Sequence, residues 1–362
     1  YILGTDKGVS VDNTIIFATS PPIATWQKFN SSYSNKSFTS SFGVYASNPS
    51  DVYANHYGAS DLRVALQGMA TNTNYFTTAE QGLMNATTVK TKDTKNSNVT
   101  YTTTDKLYAL QGNYNDKNKL WAGTSDSTVL AMSSYWSNGS WFWLRSPYAD
   151  GDGSALLALP GYSVLGDNLY FERAVQPASN LNLSSVLFAS AATAASSDTV
   201  SGTLTDGTAM TLRLNGTGKN IGTVTYNTTT GDIKVVRGDA SQPVSLVVQG
   251  NDGTNDWYYS KKIDTSETVN ASAIKSALSL SSDINLSDCK IWLETTDSTE
   301  NLIYAVGATE ILRITSVEIT GIDTPTANTT LDTSAACATT GVSSTTPQIT
   351  WTPSDSTAGY NT

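Results

Sequence analysis

Trp141-Phe-Trp-Leu-Arg-Ser-Pro-Tyr148 is the stretch on which the reading of this chain turns. Three aromatics and a leucine lead into one arginine, and the run then breaks at Pro147 into Tyr148-Ala-Asp-Gly-Asp-Gly-Ser154. A short apolar, aromatic run bounded by turn residues predicts a buried strand. Proline has no N–H to extend a ladder, so the strand ends there. The Asp/Gly-rich loop beyond it is carried on the end of a rigid element, which is where binding groups concentrate. Trp141, Trp143 and Leu144 read as strand core. Arg145 reads as a brace that pairs with a carboxylate or with loop carbonyls.

Outward from that strand, the interval from Trp136 to Glu172 interleaves aromatics with short polar side chains. Tyrosine among Asn, Asp and Ser supplies rigid amphipathic contact area with adaptable hydrogen bonding. Tyr148, Asp150, Asp152, Tyr162, Asp167, Asn168 and Tyr170 are the candidate ligand-binding residues on that ground. Upstream, Leu62, Ala65, Leu66 and Met69 share one face of a helix over residues 61–69, with Ser60 or Asp61 as N-cap. Thr77-Thr-Ala-Glu80 has the spacing of a capping box and predicts a second short helix.

The texture changes after Leu183. Ala189 to Ser197 is a run of small residues that reads as a linker or a final weak strand. Beyond it, short alternating segments recur between Asn-Gly, Thr-Gly-Asp and Asn-Asp-Gly turns. They lie at residues 210–214, 222–226, 232–236, 244–248, 257–259, 290–293 and 302–306. That spacing predicts a β-sandwich over residues 195–314, interrupted by one helix at 271–278 capped by Asn270.

The segment Trp141–Tyr148 resembles the WLRSP motif of a family of bacterial surface domains with a C-type-lectin-like fold and no characterised function. Gly58-Ala-Ser-Asp-Leu-Arg63, Tyr75-Phe-Thr-Thr-Ala-Glu80 and Thr104-Asp-Lys-Leu-Tyr-Ala-Leu110 resemble the family's other landmarks, in the family's order. Ala174-Val-Gln-Pro-Ala178 with Asn180-Leu-Asn-Leu183 is similar to its closing strand. The resemblance implies an α+β C-type-lectin-like domain over residues 1–186, with the late region as its exposed ligand face. Tyr1-Ile-Leu-Gly4 reads as mid-strand, so the family's opening strand is expected upstream. Val317 to Pro325 and Gln348 to Pro353 resemble the opening strands of a bacterial immunoglobulin-like module. Trp351, Pro353, Asp355, Ala358 and Tyr360 match that module's W-x-P-x-D-x-x-A-x-Y pattern. The expected fold class is therefore multidomain. A C-type-lectin-like domain is followed by an all-β immunoglobulin-like sandwich and by the start of a second sandwich, truncated, at residues 315–362.

Composition narrows the function. A net charge of −10 and a pI near 4.5 disfavour nucleic acid, which demands a basic face, and anionic membrane surfaces. No apolar run approaches the ~20 residues needed to span a bilayer as a helix. His56 is the only histidine and no G-x-S-x-G elbow occurs, so a Ser-His-Asp site lacks its parts. One histidine and two distant thiols, Cys289 and Cys337, do not assemble a zinc site. Two oxygen-rich loops, Asp150-Gly-Asp-Gly153 and Asn251 to Asp256, offer raw material for Ca²⁺, but neither completes an EF-hand pattern. Both read first as Asx/Gly turns, and no cofactor is expected.

The expectation is a non-enzymatic, adhesin-like protein at the surface of a Gram-positive bacterium. It presents its first domain on a β-sandwich stalk to a host or neighbouring-cell protein, immunoglobulin or a mucosal glycoprotein among them, or to a glycan. The alternatives are a structural subunit of a surface array or filament and, third, a glycan-active enzyme.

Overall fold

The computed structural model describes residues 51–92, 100–113, 140–148, 153–159, 163–205, 209–280 and 283–307. It also describes the shorter segments 2–5, 14–18, 23–34, 36–37, 119–121, 129–131, 314–320 and 348–353. The protein is β-rich, with several separate sheets. It divides into two compact units, the first built on Tyr1–Asn182 and the second on Leu183–Thr315. Of the resemblance to an immunoglobulin-like module, only the pairing of Ile314–Thr320 with Gln348–Pro353 falls on described residues; Asp355, Ala358 and Tyr360 lie outside them.

In the first unit the strand Phe142–Pro147 sits at the centre of a five-stranded sheet. Its order is Ser163–Asn168, Ser154–Leu159, Phe142–Pro147, Glu172–Val175, Ile23–Lys28. A central strand is covered on both faces, which is why Phe142, Trp143 and Leu144 are all buried instead of alternating. Trp143 packs edge-on against Phe29 at 5.6 Å and donates its indole N–H to the Gln27 carbonyl at 2.7 Å. Helix α1, Asp61–Ala70, adds Leu62, Leu66, Met69 and Ala70 to the same core. Ser60 is its N-cap, accepting from the Arg63 N–H at 3.1 Å. Helix α2, Thr78–Leu83, begins at a complete capping box in which Glu80 accepts from the Thr77 N–H at 2.7 Å.

Arg145 is fully buried. Its guanidinium donates to the carbonyls of Lys90 at 3.3 Å and Ala109 at 2.9 Å and to Gln111 Oε1 at 2.9 Å. It thereby ties the central strand to the hairpin strand Thr87–Lys92 and to the segment Tyr108–Gly112. His56 lies in the same interior, 2% exposed, stacked on the Tyr101 ring at 3.7 Å.

The second unit is layered. A seven-stranded sheet runs in the order Val186–Ser190, Thr211–Asn215, Leu302–Gly307, Lys290–Asp297, Val244–Asn251, Asp256–Ile263, Val200–Leu204. Every pairing in it is antiparallel except that of Thr211–Asn215 with Leu302–Gly307. A three-stranded sheet, Gly222–Asn227, Asp232–Arg237, Glu267–Asn270, faces it. Val224, Ile233 and Val235 of the small sheet share a core with Leu246, Val248, Ile291 and Leu293 of the large one, and with Ile274 of helix α3, Ala271–Leu278.

The small-residue run is part of this second unit. Val186–Ser190 is its edge strand, and the following residues cross the sheet as a packed strap with Ala192 and Ala195 buried. Small side chains let the strap's backbone reach the sheet: the Ala195 N–H donates to Ser260 Oγ at 2.8 Å, and Ser245 Oγ donates to the Ala195 carbonyl at 3.2 Å. Beneath it Arg213 and Glu294 form a fully buried ion pair at 2.9 Å. Arg213 also donates to the carbonyls of Ser190 at 2.5 Å and Ala192 at 2.6 Å, while Glu294 accepts from the Trp292 indole at 2.5 Å.

Two stability predictions follow from these interiors. Removing one partner of a buried pair strands the other charge, which costs roughly 3–5 kcal/mol. Arg213→Met and Glu294→Leu singly should each lower urea-unfolding stability by that amount, and the double variant should recover most of it. A double variant as unstable as the sum of the singles would disprove the coupling. Burial holds the His56 imidazole down to about 3 from its ordinary 6.5, with the Arg63 charge adding to the depression. Above 6.5 neither folded nor unfolded chain protonates this ring; below it only the unfolded chain does, so stability falls as pH drops from 6.5 towards 3. The slope is about 1.4 kcal/mol per pH unit. His56→Phe, which keeps a ring against Tyr101, should remove that slope from the difference between the two stability–pH curves.

Candidate ligand-binding face

The candidate residues from the sequence fall into three groups. Asp150, Asp152 and Tyr162 lie outside the described residues. Tyr148 is half-buried and packs against the first unit's core, its ring lying on Gly166, where a Cβ would come within 2.7 Å of it. Asp167, Asn168 and Tyr170 come together at the end of the strand Ser163–Asn168 and in the turn that follows.

That turn is built around one anchor. Leu169 is fully buried, its N–H donates to the Gly153 carbonyl at 3.2 Å, and its carbonyl accepts from the Asn30 N–H at 3.1 Å. The Phe171 N–H closes the turn on the Asn168 carbonyl at 3.1 Å. With Leu169 held inside, Tyr170 and Phe171 are turned outward, 42% and 47% exposed.

Asn168 organises the polar side. Its N–H donates to Asp167 Oδ1 at 2.9 Å and its own Oδ1 accepts from the Tyr170 N–H at 3.2 Å. The rings of Tyr33 and Tyr170 meet edge-to-face at 4.7 Å. Tyr33, 45% exposed, comes from the loop after the strand Ile23–Lys28. That loop is pinned by Ser31, whose N–H and hydroxyl donate to Asp61 Oδ2 at 2.7 and 2.5 Å. The Tyr33 ring rests on Gly153, where a Cβ would lie 2.9 Å from it. The glycine of the Asp/Gly loop is thus needed for close approach.

Sequence reading placed Trp141 in the strand core, and the structure corrects this: Trp141 is 45% exposed. It precedes the strand's first residue, Phe142, and joins the sheet only through its carbonyl, which accepts from the Ala174 N–H at 2.9 Å. Its ring is covered instead by the Arg173 guanidinium at 5.0 Å, which also lies 5.2 Å from the Phe171 ring. Arg173 donates from Nε to Asp167 Oδ2 at 2.7 Å and is neutralised there. Tyr33 and Arg173 were not among the candidates. Nothing near Tyr33 in sequence marks it, since its neighbours are supplied by residues more than a hundred positions away.

Tyr33, Tyr170, Phe171, Arg173 and Trp141 form one continuous chain of ring and cation contacts. The hydrogen bond from Tyr33, and then that from Asn168, holds the Tyr170 phenol below its usual range. Desolvation, followed by the same bond, pushes the Tyr33 phenol above its own.

The acid–base groups elsewhere have structural partners. Asp105 is buried against Arg63 at 2.8 Å and accepts from Thr103 at 2.7 Å; desolvation raises its carboxyl. Burial pushes the Cys289 thiol up to about 12. In the second oxygen-rich loop, Asn251 Oδ1 accepts from the Gly253 N–H at 2.6 Å, and Asp252 Oδ1 accepts from the N–H groups of Thr254 and Asn255 at 2.9 and 2.8 Å. Those oxygens serve a hairpin turn. Among the described residues no group of three or more His, Cys, Asp or Glu is placed to hold a metal ion. No protein-family model matches the chain, and neither a curated protein nor a solved structure matches it.

Tyr33→Phe removes the donor that depresses Tyr170. The Tyr170 phenol should then titrate closer to pH 10, read from its ¹³Cζ shift in tyrosine-labelled protein. An unchanged titration would mean that the two hydroxyls are not bonded in solution.

Proposed function

We propose that the chain is an extracellular binding protein of a bacterial surface, adhesin-like, whose first unit is a C-type-lectin-like domain that recognises a ligand through its aromatic face. The second unit, on this reading an immunoglobulin-like sandwich, serves as the stalk. The ligand belongs to a host or to a neighbouring cell, and is a protein such as immunoglobulin or a mucosal glycoprotein, or a glycan. The reading is non-enzymatic.

One observation carries it. Four large rings, Tyr33, Trp141, Tyr170 and Phe171, are each between 42% and 47% exposed, yet each is fixed by a defined contact. Apolar ring surface left in water is unfavourable at about 25 cal/mol per Å², so its retention in a fixed arrangement points to a partner that covers it. Rings already locked in place lose little entropy on binding. Tyr, Trp and Arg are also the residues that dominate interface hot spots.

The test is a panel of secreted host proteins and glycans passed over the immobilised full chain. Tyr170→Ala with Phe171→Ala should abolish any saturable binding without moving the melting temperature. Tyr148→Ala should instead lower the melting temperature by several degrees, because its ring is packed on the core. Wild-type binding retained in the double variant would place the face elsewhere.

A further inference from the structure

We infer that Tyr33 and Tyr170 form a site of oxidative cross-linking, at which hydrogen peroxide and a haem peroxidase couple the two rings into a dityrosine. The new bond staples the loop after the strand Ile23–Lys28 to the turn after the strand Ser163–Asn168. The coupling does not depend on what the aromatic face binds.

The chemistry needs two phenols and two oxidising equivalents. Each ring gives up one electron and its phenolic proton, and the resulting radical is shared between the oxygen and the two Cε carbons beside it. A Cε of one ring then bonds to a Cε of the other. Each of these carbons sheds its hydrogen as a proton while the ring oxygen takes one up, so both rings become phenols again. Two hydrogen atoms have left the protein, and through the peroxidase they convert one hydrogen peroxide into two waters.

The geometry places the two rings for that step. They meet edge-to-face at 4.7 Å, with 70° between their planes. Ring carbons lie about 1.4 Å from a ring's centre, so this edge approach sets carbons of the two rings about 3.3–3.6 Å apart, close to the near-attack distance. No room is left in that gap for a hydroxyl or a Cβ to point at the partner ring. The edge presented is therefore a Cδ–Cε side, which carries a coupling carbon. The hydrogen bond from Tyr33, the leading cause of the lowered Tyr170 phenol, draws the hydroxyl ends together and the Cε carbons with them. Both rings are open to an oxidant, at 45% and 42% exposed.

Coupling inside a folded chain also requires that neither backbone has to travel. The Asn30 N–H donates to the Leu169 carbonyl at 3.1 Å and joins the two segments directly. Ser31 pins the first segment to Asp61, and the Tyr33 ring rests on Gly153. On the other side the Tyr170 N–H is held by Asn168 Oδ1 at 3.2 Å, and the Phe171 ring flanks Tyr170 at 5.9 Å. Such positioning turns a chance collision of two radicals into a unimolecular step. The staple would join residues more than a hundred positions apart, and a cross-link closing so long a loop restricts the unfolded chain.

The experiment treats dilute full chain with hydrogen peroxide and a haem peroxidase. A monomeric product two hydrogens lighter should form, with the blue fluorescence of dityrosine and a melting temperature several degrees higher. Tandem mass spectrometry of its digest should join the peptide holding Tyr33 to that holding Tyr170. Tyr33→Phe and Tyr170→Phe, which keep the rings, should each lose the cross-link and the rise in melting temperature. Tyr75→Phe removes a phenol that is 43% exposed elsewhere and should leave the yield unchanged. Gly153→Ala keeps both phenols but lifts Tyr33 off its seat, and should cut the yield several-fold. Dityrosine that joins separate chains, a digest that links other tyrosines, an equal yield in Gly153→Ala, or no dityrosine at all would each overturn the inference.

Discussion

A guanidinium taken out of water must be given acceptors, and in the first unit Arg145 collects three of them from two separate stretches of chain. Two of the acceptors are backbone carbonyls of Lys90 and Ala109, so the arginine does not merely neutralise a neighbour. It fixes the paths of the hairpin strand Thr87–Lys92 and the segment Tyr108–Gly112 against the central strand. An unsatisfied buried donor costs about 1–3 kcal/mol, more when charged, so any displacement of those segments is penalised at once. The central strand is held in place for that reason, and of the candidate face it carries Trp141, which stands immediately before it.

The aromatic run was legible because both faces of a central strand must be covered, which makes an uninterrupted apolar segment the local signature of its position. Phe142, Trp143 and Leu144 are accordingly at most 1% exposed. The capping box at Thr77–Glu80 and the Asn270 cap were legible because a cap is a local hydrogen bond among residues three apart. Trp141 was misread because Trp-x-Trp alternation puts it with Trp143, while the strand begins one residue later. Tyr33 was invisible for a different reason. Its surroundings, Gly153, Asn168 and Tyr170, are assembled by pairings between the two ends of the unit, which no local pattern encodes. The segment 189–197 shows the same limit. Small residues are what a linker uses for freedom and what a strap uses to approach a sheet, and only the bonds to Ser260, Ser245 and Arg213 distinguish the two.

The second unit solves its burial problem in another way. One face of its large sheet is closed by ordinary apolar packing against the small sheet and helix α3. The other face carries the Arg213–Glu294 pair beneath a polypeptide strap, with Phe188 packed edge-on against Trp292 at 5.0 Å. A buried ion pair contributes little net stability compared with an apolar filling of the same volume, but it demands one geometry. Here it specifies where the strap lies: Arg213 reaches the carbonyls of both Ser190 and Ala192, so sliding the strap by one residue would break both bonds. Trp292 and the paired strands, not the ion pair, supply most of the burial.

The face on the first unit inverts that economy. Its ion pair is partly exposed, with side chains of Arg173 and Asp167 at 22% and 15%. Such a pair contributes little to folding on its own. Its value is positional, because the guanidinium is also the spacer between two rings. The chain as a whole carries ten more acidic than basic charges, and an exposed arginine in that setting would ordinarily draw anions. Asp167 occupies that arginine, so its charge is already paired where the guanidinium spaces the two rings. Gly153 completes the arrangement, since any side chain there would lift Tyr33 off its seat and separate it from Tyr170. The rings of Tyr33, Tyr170, Phe171 and Trp141 therefore hold their positions through one glycine and one ion pair, both brought to them by the pairing of distant strands.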